Sequence, residues 1–125
     1  MATDNRALSD RTAAVGGNDS LSIGGNRSVT VGRNDLESIV TNKSMVVGKG
    51  LDVSVGQAMA VSAGKTMMLE AADAIEIVCG QSRLSMKKDG TIVLSGRDIT
   101  IIGSGAVKVK ASGEVTLKGS KVTSN

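Results

Sequence analysis

The chain has 125 residues, a net charge of +3, 16 glycines and one cysteine, and it lacks Phe, Tyr, Trp, His and Pro altogether. That length fits one domain, but an interior drawn only from Val, Ile, Leu, Ala and Met forgoes the large buried area that aromatic side chains bring to a globular core. With no histidine and no paired acid and base beside a nucleophile, an enzyme is not expected; one cysteine excludes an internal disulfide framework, and scattered lysines without aromatics exclude specific nucleic-acid binding.

Residues 1–14 are polar and read as an irregular opening segment. Residues 15–125 read as one repetitive domain. From Val15 the chain can be written in eights: VGGNDSLS, IGGNRSVT, VGRNDLES, IVTNKSMV, VGKGLDVS, VGQAMAVS, AGKTMMLE, AADAIEIV and CGQSRLSM. The second position is glycine in most of them, as Gly16, Gly24, Gly32, Gly48, Gly56, Gly64 and Gly80, and the same count reaches Gly96. In the early octads Asn18, Asn26 or Asn34 follows two residues later. Glycine accepts positive φ freely and asparagine better than most residues, so this is corner chemistry.

The first position is apolar in Val15, Ile23, Val31, Ile39, Val47, Val55 and Cys79, and the seventh in Leu21, Val29, Met45, Val53, Val61, Leu69 and Ile77. Positions seven and one lie two residues apart, so on a strand they share one face. Position five changes from charged (Asp19, Arg27, Asp35, Lys43) to apolar (Leu51, Met59, Met67, Ile75). Beyond Cys79, apolar pairs continue at Leu84/Met86, Ile92/Leu94, Ile99/Ile101, Val107/Val109 and Val115/Leu117, between the turn-like separators KKDG, SGRD, GSG and ASG. No segment has helical periodicity.

A short strand and a corner cannot bury their own apolar face, so the octads must stack. One chain coiled as a solenoid is one way; three chains wound about a common axis is the other. In the three-chain arrangement each octad lies under the next octad of its neighbour, and Asp19, Arg27, Asp35 and Lys43 alternate in sign up each face. The solenoid sets Arg27 against Leu51 instead. The predicted fold is therefore all-β: a homotrimeric, interwound triple-stranded β-helix, a triangular β-prism built from octapeptide repeats. Its core would hold the position-one and position-seven residues named above together with Ile99, Ile101, Val107, Val109, Val115 and Leu117. At about 4.8 Å between stacked strands the prism would be about 60 Å long.

Some octads break the rule. Val40 stands where a corner glycine is expected, and Glu37 stands in the apolar column. Carboxylates buried at one height would be costly, so a local register shift that exposes Glu37 and buries Leu36 is expected. Ala72 and Lys88 replace two more corner glycines, and a bulge is expected around Lys87–Gly90.

Val-Gly octads with Asn corners, ending in ITIIGSGAVKVKASGEVTLKGSKV, resemble the C-terminal shaft of the VgrG family, the valine-glycine-repeat spike of type VI secretion systems. That shaft is similar in turn to phage cell-puncturing needles. The likeness covers about residues 15–125. It implies a structural, membrane-puncturing protein, held in the bacterial cytoplasm before firing and then secreted into the target cell envelope. It also implies a homotrimer that touches the target membrane transiently, receives a PAAR-repeat tip protein at its C-terminal end, and carries effectors on shaft or tip. The tip contact would fall to Lys118, Gly119, Ser120, Lys121, Val122, Thr123, Ser124 and Asn125. The family's base domains, which sit on the Hcp tube, have no counterpart in this sequence, so it reads as a fragment that starts at the shaft. The alternative is a non-puncturing stalk, a β-solenoid that forms filaments or adhesive assemblies.

The remaining motifs carry little. AGKT at Ala63–Thr66 ends like a phosphate-binding loop, but the first glycine of that motif would fall at Met59. Met45, Met59, Met67, Met68 and Met86 suit a narrow, irregular core better than a soft-metal site. Cys79 stands in line with Val55 and Ala63 as a small core residue. No cofactor and no metal is expected.

Overall fold

The computed structural model describes residues 9–125; the first eight residues of the expected opening segment lie outside them. The chain divides into two units, Met1–Ser54 and Val55–Asn125. In the first, after a bend at Ser9, backbone bends begin at Gly16, Gly24, Gly32, Val40 and Gly48, each eight residues after the last from Gly16 on. The described residues of this unit contain no helix, no strand ladder and no backbone–backbone hydrogen bond. None of them has positive φ.

The second unit opens in the same way, with bends beginning at Gly56, Gly64 and Ala72. Three strands follow: β1 (Ala74–Cys79), β2 (Ser82–Lys87) and β3 (Ile92–Ser95). They form one open antiparallel sheet in the order β1-β2-β3. Cys79 pairs with Ser82, which leaves Gly80 and Gln81 as a two-residue loop. Gly80 has φ of 53° while Gln81 does not have positive φ, the pattern of a type II′ hairpin turn with glycine first. Between β2 and β3 the Gly90 amide donates to the Lys87 carbonyl, and the Lys87 amide to the Thr91 carbonyl, both at 3.0 Å. Gly90 has φ of 90°, so this is the three-residue hairpin that needs a left-handed residue at its end. The Lys88 amide donates to the Asp73 carbonyl at 3.0 Å, which ties the second turn to the start of β1.

Alternation sends Ile75, Ile77, Leu84, Met86, Ile92 and Leu94 to one face of the sheet, in the cross-strand rows Ile75–Met86–Ile92 and Ile77–Leu84–Leu94. Glu76, Arg83 and Lys87 belong to the other face. Ser85 in β2 is the one buried residue among those described, and no hydrophobic side chain is buried. After β3, bends occur at Arg97 and begin again at Ser104, Ser112 and Ser120. The last three keep the eight-residue count that starts at Gly16.

These findings overturn the triple-stranded β-helix. The described residues hold three antiparallel strands in an open sheet, and nothing closes into a triangular prism. A prism needs ladder hydrogen bonds on every limb, yet the limbs of the plain octads make none. Strand pairing is confined to the place where short hairpin loops return the chain on itself at little closure cost. In consequence the chain exposes 13819 Å². A compact monomer of 12.7 kDa would expose about 6,200 Å² and an unfolded one about 18,000 Å².

Three further expectations change. The corner glycines do not use positive φ, Gly80 excepted. No register shift occurs near Glu37: the bend at Val40 keeps the frame, and Leu36 is 93% exposed instead of buried. Around Lys87–Gly90 the chain reverses direction, which is more than a bulge in a continuing octad.

Candidate functional site

The apolar columns are the chain's most regular surface. Position one is 44–56% exposed in Val15, Ile23, Val31, Ile39, Val47 and Val55, and position seven is 62–73% exposed in Leu21, Val29, Met45, Val53, Val61 and Leu69. Such narrow ranges mean that each octad gives its side chains the same backbone surroundings. The residues marked as core by their spacing are thus aligned in repeating positions, and none of the hydrophobic ones is buried by the rest of the chain.

The columns move against the bends across the sheet. Before it, the apolar pair occupies positions seven and one. After it, Ile99/Ile101, Val107/Val109 and Val115/Leu117 occupy positions five and seven, and position one passes to Gly103, Ala111 and Gly119. Small residues are needed there in at least one case, because a Cβ on Gly103 would lie 2.8 Å from Val107 Cγ2. Two seven-residue steps, Ile77 to Leu84 and Ile92 to Ile99, produce the change.

The corner glycines behave differently from Gly103. A Cβ added at Gly16, Gly24, Gly32, Gly48, Gly56 or Gly64 would meet no atom within 4 Å, and φ is not positive at any of them. Left-handed backbone and close approach within the chain, the two usual reasons for glycine, are both absent. Gly96 has only ordinary contacts, with Ser82 Oγ at 3.6 Å and Ile99 Cγ1 at 3.7 Å.

Glu37 finds its partner in the chain itself: the Lys43 ammonium donates to Glu37 Oε2 around the bend at Val40. Both side chains stay about half exposed, so this is a surface pair and a modest one. Cys79 is free and exposed, on the apolar sheet face beyond Ile75 and Ile77. The segment Lys118–Asn125 is exposed, bends at Ser120, and presents one apolar side chain, Val122.

Chemistry of other kinds has little to work with. An open cleft of about 220 Å³ is lined by Leu69, Glu70, Ala71, Asp73, Ala74, Ile75, Met86, Lys87 and Lys88. It is smaller than typical ligand pockets, and its Lys88 and Asp73 side chains are exposed and 3.7 Å apart. Among the described residues no group of three His, Cys, Asp or Glu side chains could hold a metal ion, and no helix is long and apolar enough to cross a membrane. The Asp89 carboxyl is held below its ordinary pKa of 3.8, first by the Thr91 backbone N–H and then by the Thr91 hydroxyl. The amide bond to Oδ1 is 3.0 Å long.

The meander is the feature that sequence spacing alone left unread. Its signals were present: a two-residue gap that opens with glycine at Gly80, an Asp-Gly pair at Asp89–Gly90, and apolar pairs two residues apart on each side of both turns. Compared with known proteins, the chain matches no family model and no curated protein sequence.

Proposed function

We propose that this chain is a structural shaft segment of a VgrG-type spike, working in a contractile type VI secretion machine in association with two further copies of itself. The observation that carries the reading is the row of evenly exposed apolar columns on octads that make no backbone hydrogen bonds of their own. Ordering a residue costs about 1–2 kcal/mol, and an octad with neither burial nor a ladder offsets none of that cost. Its partner must offer the same spacing over many repeats. A further copy of the chain does so automatically.

The valine-glycine octads and the tail from Ile99 to Val122 support a spike over other repetitive assemblies. Such a protein transmits force and needs no catalytic group or cofactor. In this reading it waits in the bacterial cytoplasm, is delivered into the target envelope on firing, and touches the membrane only in passing. Lys118–Asn125 receives a PAAR-repeat tip, and effectors travel with the assembly.

Sedimentation and light scattering test the association: the expected mass is three times that of one chain. A single-chain mass at all concentrations would remove the reading, and end-to-end polymers would favour a filament-forming stalk. Binding of a PAAR-repeat protein, lost when Lys118–Asn125 is deleted, tests the spike assignment.

A further inference from the structure

We infer that the meander Ala74–Ser95 is the assembly nucleus of the chain: it folds within each copy and then docks its apolar face on the same face of another copy, fixing the register in which the octads associate. The inference rests on the self-association proposed above and adds to it an order of events and a place. The meander is the one described segment with strand ladders of its own. Its loops are two and three residues long, so closing them demands little entropy, and hairpins of this kind form in microseconds.

Once formed, the sheet has a face that cannot stay in water. Ile75, Ile77, Leu84, Met86, Ile92 and Leu94 lie side by side on it; Ile77, Ile92 and Leu94 are 57–67% exposed, and Ile75, Leu84 and Met86 are half-buried. A small sheet needs such a face covered to be stable. The occupant follows from continuity. Strand β1 takes up the second half of the octad AADAIEIV, with Ile75 at position five and Ile77 at position seven, and ends on Cys79 at position one of the next. Whatever covers the octad columns therefore reaches the β1 side of this face, and β2 and β3 extend the face beside it. The surface to be removed also fits a copy better than a small partner. The chain exposes 13819 Å², about 7,600 Å² more than a compact monomer of its mass, whereas an ordinary interface buries about 1,200–2,000 Å².

Register supplies the reason for a nucleus. Plain octads are so alike that two copies can slide by eight residues and still match valine to valine and glycine to glycine. The meander occurs once. A slip of one octad sets its apolar face against a bare limb, so docking there selects one alignment.

Pulse-labelled hydrogen exchange during refolding of the full chain tests the order. The Ala74–Ser95 amides are expected to gain protection first, at a rate independent of chain concentration, and the octad amides later, at a rate that rises with concentration. Octads protected first, or together with the meander in one concentration-dependent step, would overturn the inference. Gly90→Val forces a branched residue into a left-handed backbone and is expected to slow assembly about 10-fold, while Gly90→Asn, which tolerates that backbone, stays within about 2-fold. Equal rates for the two variants would also overturn it. Where Gly90→Val does not fold at all, the order of protection in the unmodified chain decides. Equilibrium mass separates the two proposals. A monomer removes both, whereas a stable oligomer whose octads are protected first removes only this one.

Discussion

Two places in the chain share a Gly-Gln step and do opposite things with it. At Cys79-Gly80-Gln81-Ser82 the glycine takes φ of 53° and the chain reverses into a hairpin. At Val55-Gly56-Gln57-Ala58, in the same octad position, φ is not positive and the chain only bends. The dipeptide does not decide the outcome. What differs is the parity of the apolar residues that follow. A reversal at Gly80 pairs Ile77 with Leu84 and Ile75 with Met86, apolar against apolar. The same reversal at Gly56 would set Met59 and Val61 opposite Ser54 and Asp52, on the face away from Val53 and Val55. A two-residue hairpin needs an odd step between apolar pairs, and Ile77 to Leu84 is seven; an octad step is even and puts the faces out of match. Octads are therefore built against folding back, which leaves their columns open to a second chain.

The strongest way to break this contrast is to place a charge in one region and watch both. Val31→Asp is expected to abolish association, because an unpaired carboxylate in a covered column costs about 3 kcal/mol per chain or more. The meander, whose ladder bonds lie within the chain, should keep more amide protection than the octads, though less than in the associated protein because its apolar face loses its cover. Association that survives Val31→Asp would show that position one does not face a partner.

A corner glycine gives an effect whose sign is informative. In the single chain Gly56 has open space and no positive φ, so Gly56→Ala alone should stabilise by about 0.4–1 kcal/mol through the unfolded state. Where another copy fills that space, overpacking reverses the sign and costs about 1–3 kcal/mol. We expect the loss, read as a lower denaturation midpoint of the associated protein. Glu37→Val is smaller and opposite. It restores the apolar column and should stabilise the associated protein by about 1 kcal/mol per chain, read as a higher midpoint, with the surface pair to Lys43 as the modest loss against it.

The corners and columns were legible in the sequence because they depend on local repetition. Bends fall on the count of eight even at Val40 and Ala72, where the glycine is missing. Glycine thus marks the corner without being required by the backbone there. The closed prism was not legible in the same way. Its ladders would need partners that a single chain does not supply, and no limb of a plain octad makes one. The meander escaped because its evidence is relational: the seven-residue step from Ile77 to Leu84 reads as slack in the repeat until the two runs are folded against each other. Glu37 shows a similar limit. Its column position suggested a misfit, but Lys43 six residues away answers it around the bend.

Acid gives the finest probe of the contrast, since one titrating contact belongs to the meander. Asp89 accepts the Thr91 amide at 3.0 Å in the second hairpin, and its pKa lies below the ordinary 3.8 for that reason. A carboxyl with a lowered folded pKa stabilises the fold fully above its unfolded value and loses that contribution as pH falls through the folded one. Protection of Thr91 and its β2–β3 neighbours should therefore start to weaken as pH drops below 3.8, while amides of the octads before Ala72 do not follow this group. Asp89→Asn, which can still accept the amide bond but does not titrate, should remove the acid step and leave neutral-pH protection nearly as it was. The group is exposed to water, so the change is small. Its value lies in location: an acid step seen in the octads and absent from the second hairpin would mean that the Asp89 contact contributes nothing to the turn that holds β3 in place.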